Sequence, residues 1–403
     1  MVRTAARVAP FLAILLLLSS APSLRAQEQP PIVVTSLSAG YTFGQQATFG
    51  IEVTADAGIT ALYLYLQEEG KPQIDVISAP FEPGTSARAG HQRDLRLYPF
   101  PPFGQVTWWW EIWDGADHRL TTDPSTFQYV DNRFEWQTGI SEPIRVHTVV
   151  ADPAYLRAAL DVAQASLTRI TQELEAPEPE RVDIYLYPSL TDLRAALEMA
   201  GREWMGGQAR PELGVVLVAV PYDDEFVTRM EQDIPHELTH LVIYQVAGPV
   251  GYAYIPAWLN EGLAMVNQVH PDPSLDALLE QARLEGRLIP LSDLCAPFPT
   301  DPETALLSYA QSASLVQYIR GQYGGAGIRA LLSAYADGAG CEGGIIQALD
   351  TTPERLDLAW RAYLMGISGW ATWLSDNAAW LLLWGLSLLL ALPMTGAVCR
   401  RRR

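Results

Sequence analysis

The sequence predicts a multidomain chain: an N-terminal antiparallel β-sandwich of immunoglobulin-like type, an α+β domain, and a C-terminal transmembrane helix. Three observations predict it. Segments with period-two apolar alternation fill the first part of the chain, strands interleaved with long helical segments follow, and an apolar run stands just before a basic terminus. At 403 residues, with 49% hydrophobic and 10% aromatic side chains, there is material for two folded units with buried cores.

Residues 1–26 read as a secretory signal peptide. Arg3 and Arg7 give a basic start, residues 8–18 an apolar core, and Ala26 a small residue ahead of polar Gln27. That core is too short to span a bilayer. The unit at 27–131 reads as the sandwich. Phe49, Ile51 and Val53 alternate with small or polar residues, as do Leu62, Leu64 and Leu66, and residues 105–113 are rich in aromatic and β-branched side chains. Asp114-Gly115 offers hairpin-turn chemistry before the strand-like run at 127–130. In the triplet Trp108-Trp109-Trp110, alternate rings are expected to pack in the core and between domains.

The second unit, 140–368, opens with a strand at 144–150. Asp152 and Pro153 then start a helix over 153–174. Residues 182–187 read as a strand, 190–200 as a helix and 214–220 as a strand; from Asp223 helices dominate, with Gly324-Gly325 as a helix stop. A small mixed sheet followed by a helical half is an α+β arrangement. Residues 378–398 are apolar apart from Ser387, Pro393, Thr395 and glycines, long enough to cross about 30 Å of hydrocarbon. Trp380 and Trp384 suit the outer interface, and the arginines of the tail at 399–403 hold that end in the cytoplasm. The expectation is a single-pass protein of the cell membrane, its folded part extracytoplasmic and its C-terminus cytoplasmic.

The formal charge is −19. Setting aside the seven arginines of the leader and tail leaves 20 basic residues against 46 acidic ones, a charge near −26. That argues against nucleic acid or anionic lipid as partners. Cys295 and Cys341 fall in the exported part, where a disulfide persists once formed; sequence leaves open whether they meet.

Residues 236–240 read His-Glu-Leu-Thr-His. Four apart on a helix, His236 and His240 lie on one face and can reach a single metal ion. Glu237 is turned off that line, toward the place of a water molecule. This is the H-E-x-x-H pattern of metalloproteases. Catalytic zinc usually has three protein ligands and one open position, so a third ligand must come from elsewhere. Downstream, Trp258-Leu-Asn-Glu-Gly-Leu-Ala264 carries Glu261 on a helix that Pro256 can open. A chain running out along the first helix, turning at 248–256 and returning along the second brings Glu261 to the histidines. Pro235, directly before His236, requires the first helix to begin there or to kink.

Together, the His236–His240 motif and Asn260-Glu261-Gly262 resemble the gluzincin superfamily of zinc metallopeptidases, especially its peptidase MA-like group, over about residues 182–364. The resemblance implies one Zn2+ per chain on His236, His240 and Glu261, with Glu237 as general base. The substrate it implies is a peptide or protein, hydrolysed by zinc-activated water. The segment Ser308-Tyr309-Ala-Gln-Ser312 resembles a further gluzincin segment, which implies that Tyr309 stabilises the tetrahedral intermediate. Asn260 and Glu231 are candidates to orient the histidines. The G-x-M-E-N segment by which aminopeptidases of the superfamily grip a free N-terminus is absent upstream, where Gly206-Gly-Gln-Ala-Arg210 stands, so exopeptidase action is unsupported. A second function class stays open: a surface binding module with a vestigial or structural metal site. The sandwich and Pro235 speak for it, the intact Glu237 for an enzyme.

Overall fold

The computed structural model describes residues 31–197, 206–366 and 377–384. The expected signal peptide lies outside them, as does most of the expected transmembrane run. Among the described residues no helix is long and apolar enough to cross a membrane.

The N-terminal part is built of β1 (Ile32–Thr42), β2 (Gln46–Glu68), β3 (Ile74–Ser78), β4 (Gly84–Asp94), β5 (Gln105–Asp114), β6 (Arg119–Thr121) and β7 (Ser125–Gln128). Where two separate sheets are expected, hydrogen bonding joins all seven strands into one antiparallel sheet. The long strand β2 is its axis. The first half of β2 carries β1 and β4 on its edges, and the second half carries β3 and β5. Burial explains the join. Phe49, Ile51, Val53 and Ala55 point inward, then Leu62, Leu64 and Leu66 do. A change from odd to even positions marks an extra residue in a period-two strand, and the register with β5 slips between Ile59 and Ala61. The two halves then face each other: the Phe49 ring lies 5.7 Å from Trp108. Trp108 and Trp110 are buried in this core, while Trp109 stacks on Tyr65 on the other face.

The second sheet comprises β8 (Gln137–Ser141), β9 (Ile144–Thr148), β10 (Val182–Tyr187), β11 (Gly207–Arg210) and β12 (Val215–Ala219), in the order β11-β12-β10-β9-β8. It is mixed, as expected: parallel in the middle and antiparallel at both edges. Every residue of β10 and β12 is buried, which accounts for the apolar run of β12 and for that of β10, broken only by Asp183, which pairs with His147 at 2.8 Å. Val182, Ile184, Leu186, Val216 and Val218 pack on the helices, while Tyr185, Tyr187, Val215 and Leu217 share the core of the N-terminal sheet. Phe103 meets Tyr185 at 4.3 Å between ring centres, and the Tyr187 hydroxyl donates to Asp131 at 3.0 Å.

The helices are α1 (Pro153–Leu174), α2 (Leu190–Leu197), α3 (Phe226–Gly251), α4 (Ala257–Val266), α5 (Pro273–Glu285), α6 (Pro302–Ala336), α7 (Cys341–Leu349) and α8 (Pro353–Leu364). Asp152 caps α1 by accepting from the Ala154 N–H at 2.8 Å. The last residues of the helix expected at 190–200 lie outside the described residues. The range given as α6 is two helices meeting at a kink at Gly324, the expected stop. α4 and α6 pack closely, and α3 lies against α1, α4 and β11.

Cys295 and Cys341 form a disulfide, closing a loop with a sequence separation of 46. It fastens the wall of the cleft described below to α7. Replacing both cysteines by serine is expected to lower the unfolding free energy by about 2–4 kcal/mol, through the freedom returned to the unfolded chain. Denaturant unfolding of oxidised protein checks this; an unchanged midpoint would contradict it.

Candidate metal centre and its cleft

The helix bearing His236 does not begin at Pro235. α3 starts at Phe226, so His236 lies well inside it rather than in its first turn. Proline has no N–H, which leaves the carbonyl of Glu231 without its helical donor. The N–H of Val269 takes that carbonyl at 2.8 Å. The chain leaving α4 is thereby tied to α3 just ahead of the histidine. The expectation that the Glu231 side chain orients a histidine is not met; its backbone carbonyl is the group used.

α3 breaks at Gly248, whose φ of +71° suits glycine, and α4 opens after Pro256. The return brings Glu261 against the histidines. His236 Nε2 lies 3.5 Å, and His240 Nε2 3.6 Å, from the same oxygen, Glu261 Oε2. Two ligands each about 2.1 Å from one ion at a tetrahedral angle stand about 3.4 Å apart. One atom from each of the three residues lies within 4.8 Å of the others. This nitrogen, nitrogen, oxygen set fits a single divalent ion with a coordination position to spare.

His240 Nδ1 lies 3.1 Å from Asn260 Oδ1. A carbonyl oxygen only accepts, so Nδ1 carries the proton and Nε2 is left with its lone pair toward Glu261. Asn260 in turn donates to the Tyr252 hydroxyl at 3.3 Å. His236 Nδ1 is buried without a hydrogen-bond partner among the described residues.

Glu237 is buried beside the edge strand β11, where the backbone of Ala209 hydrogen-bonds its carboxylate. A Cβ on Gly207 would come within 2.7 Å of Glu237 Oε1, so glycine leaves the space this carboxylate occupies. Burial, helped by the charges of Glu261 and Asp233, pushes Glu237 up to about 8. Burial likewise raises Asp233 to about 6. For His236, burial acts downward but is outweighed by Glu261, Glu237 and Asp233, and the net shift is upward. His240 is lowered, chiefly by burial.

Tyr309, on α6, stands edge-on to Phe298 with ring centres 5.1 Å apart. It lines two cavities flanking the triad. One, of about 300 Å³, is bounded by Asn260, Glu261 and Phe298; the other, of about 210 Å³, by His236, Glu237 and Asp233. Sequence reasoning brought His236, Glu237, His240, Asn260, Glu261 and Tyr309 to this cleft. It missed Asp233, although a residue three before His236 shares its helix face, and it missed Gly207 and Tyr252, whose places depend on packing.

A cleft in which a helical H-E-x-x-H pair faces a glutamate from a second helix, beside a sheet edge, defines a candidate metallopeptidase centre. The chain belongs to the Peptidase MA superfamily, whose sequence model matches residues 162–366. No curated protein matches the chain. Among solved structures, it is similar to an M1 zinc metallopeptidase from Deinococcus radiodurans, with 13% identity, TM-score 0.40, and 84% of this chain and 95% of that chain covered. It is also similar to wild-type OgpA from Akkermansia muciniphila, with 13% identity and TM-score 0.22. That match covers 26% of this chain and spans only 30% of the other chain's length. A third, the third fibronectin III domain of a human protein, has 13% identity and TM-score 0.18, covering 28% of this chain and 94% of that chain. These are partial likenesses and assign nothing to this chain.

Proposed function

We infer that the protein is a membrane-anchored, extracytoplasmic zinc metallopeptidase that hydrolyses peptide bonds, with His236, His240 and Glu261 holding one Zn2+ and Glu237 as general base. The observation that carries this reading is the approach of both imidazole Nε2 atoms to one oxygen of Glu261. Zinc in such a site supplies Lewis-acid chemistry that makes water nucleophilic near neutral pH. Glu237, held between Gly207 and Ala209 at the sheet edge, takes up the proton on its carboxylate and passes it to the leaving amine. Tyr309, which lines both cavities, would donate its hydroxyl proton in a hydrogen bond to the developing oxyanion. Asn260 holds His240 in the tautomer that offers Nε2.

Anchorage rests on the sequence of residues 378–398 and the arginines after it, with the leader at 1–26 directing export. The test of the central reading is zinc analysis of the purified protein together with a digest of a diverse peptide library. About one zinc per chain and specific cleavage are expected. Stoichiometric zinc without any cleavage favours the binding-module reading.

The electrostatics predict coupling between metal and protons. Without metal, the folded protein pushes Glu237 up to about 8 and raises His236 above its ordinary value, so each holds its proton more tightly than it would in water. Ligation needs His236 neutral, and the ion's charge favours ionised Glu237. Zinc binding is therefore expected to release protons, with affinity rising toward alkaline pH. Calorimetry in buffers of different ionisation enthalpy measures the release; a pH-independent affinity contradicts it.

A further inference from the structure

The cavity of about 210 Å³ beside His236 and Glu237 has walls of two kinds. Met265, Leu275 and Leu306 supply apolar sides, whereas Asp233, Gln268 and Asp272 supply oxygen acceptors. Asp233 lies three residues before His236 on the same face of α3. Its carboxylate accepts no hydrogen bond from a described residue. The cations whose charge reaches it are His236, a candidate metal ligand, and Arg229, which is itself paired with Asp223 at 2.5 Å and Glu225 at 3.1 Å. Gln268 Oε1 is buried without a hydrogen-bond partner among the described residues. Asp272 already caps α5, accepting from the Ser274 N–H at 2.8 Å, which leaves Asp233 as the principal open acceptor.

A ligand that satisfies these walls has an apolar stem and a cationic tip rich in N–H donors. Lysine and arginine side chains have that form. A carboxylate is repelled by Asp233 and Glu237, and an aliphatic side chain leaves buried acceptors unpaired. Resting on the peptidase reading of this site, we propose that the cavity is a specificity pocket for the lysine or arginine side chain of the substrate residue next to the cleaved bond, with Asp233 as its countercharge. The chain's net charge of −19 favours the approach of basic peptides to the cleft.

The experiment uses the zinc-loaded full-length protein and paired peptides in which one arginine beside the cleaved bond is replaced by citrulline, its neutral near-isostere. Wild type is expected to prefer arginine by at least about tenfold in kcat/KM, the worth of a charged hydrogen bond. In the zinc-loaded Glu237→Gln protein, which keeps Asp233, binding of the same pair, read by calorimetry without turnover, is expected still to favour arginine. Asp233→Asn is expected to bring the arginine-to-citrulline ratio close to one. Cleavage of library peptides with no preference for a neighbouring lysine or arginine overturns the pocket and leaves the peptidase reading intact. An Asp233→Asn protein that loses zinc affinity and slows on both peptides equally also overturns it, making Asp233 a positioning residue for His236. Failure of the zinc-loaded protein to cleave any peptide overturns the peptidase reading itself. The citrulline comparison in wild type needs no folded variant at position 233.

Discussion

Replacing Glu237 by glutamine is expected to lower kcat/KM by roughly 10²–10⁴-fold while leaving about one zinc per chain, the span typical of general acid–base catalysis. Glutamine matches glutamate in shape, so the space left by Gly207 stays filled. What is lost is a carboxylate able to accept a proton. Glu237 is not among the three converging donors, so metal content should hold. Burial makes the test sharper. The carboxylate is raised to about 8 in the metal-free protein, which shows how unfavourable an isolated charge is at this depth. A nearby divalent cation reverses that penalty, so wild type is competent only when loaded. Removing zinc with a chelator should therefore silence wild type to the level of the variant. Unchanged kcat/KM in Glu237→Gln sinks the mechanism.

Replacing Glu261 by alanine is expected to produce the largest loss of metal affinity. It removes the oxygen that both imidazoles approach, at 3.5 and 3.6 Å, and leaves two nitrogen donors. Loss of a group that merely orients a ligand costs about 10–100-fold in affinity; loss of the carboxylate itself should exceed that. The readout need not be activity. Zinc at about 1,000 times its Kd should stabilise wild type by about 4 kcal/mol, and this gain should disappear in Glu261→Ala. Zinc-dependent stabilisation that survives the substitution places the metal elsewhere. Asn260→Ala, which keeps all three donors but frees His240 Nδ1, should fall between wild type and Glu261→Ala on the same scale.

The local pattern carried most of the site. His236 and His240 had to share a helix face once the helix was granted, and the amphipathic segment around Trp258 fixed where Glu261 could return. The strand β10 and the helix α1 were legible from local pattern too: burial on both faces gives a mostly apolar run, broken in β10 only by Asp183, and an Asp-Pro pair marks a helix start. The N-terminal sheet was only half legible. Alternation identified its strands, but the change of inward side along β2, which merges two expected sheets into one, appears only when the partners are known.

By itself, then, the sequence determined which side chains can meet a metal ion, because helical spacing is a local property of a few consecutive residues. Only the tertiary structure decided the fate of Pro235 and the setting of Glu237. A carbonyl freed by proline can be met by solvent, by a kink or by a distant donor, and Val269 supplies it here. The pocket around Asp233 likewise draws walls from α3, α4, α5 and α6. Such contacts join residues far apart in the chain, and their energies depend on packing that no stretch of sequence contains.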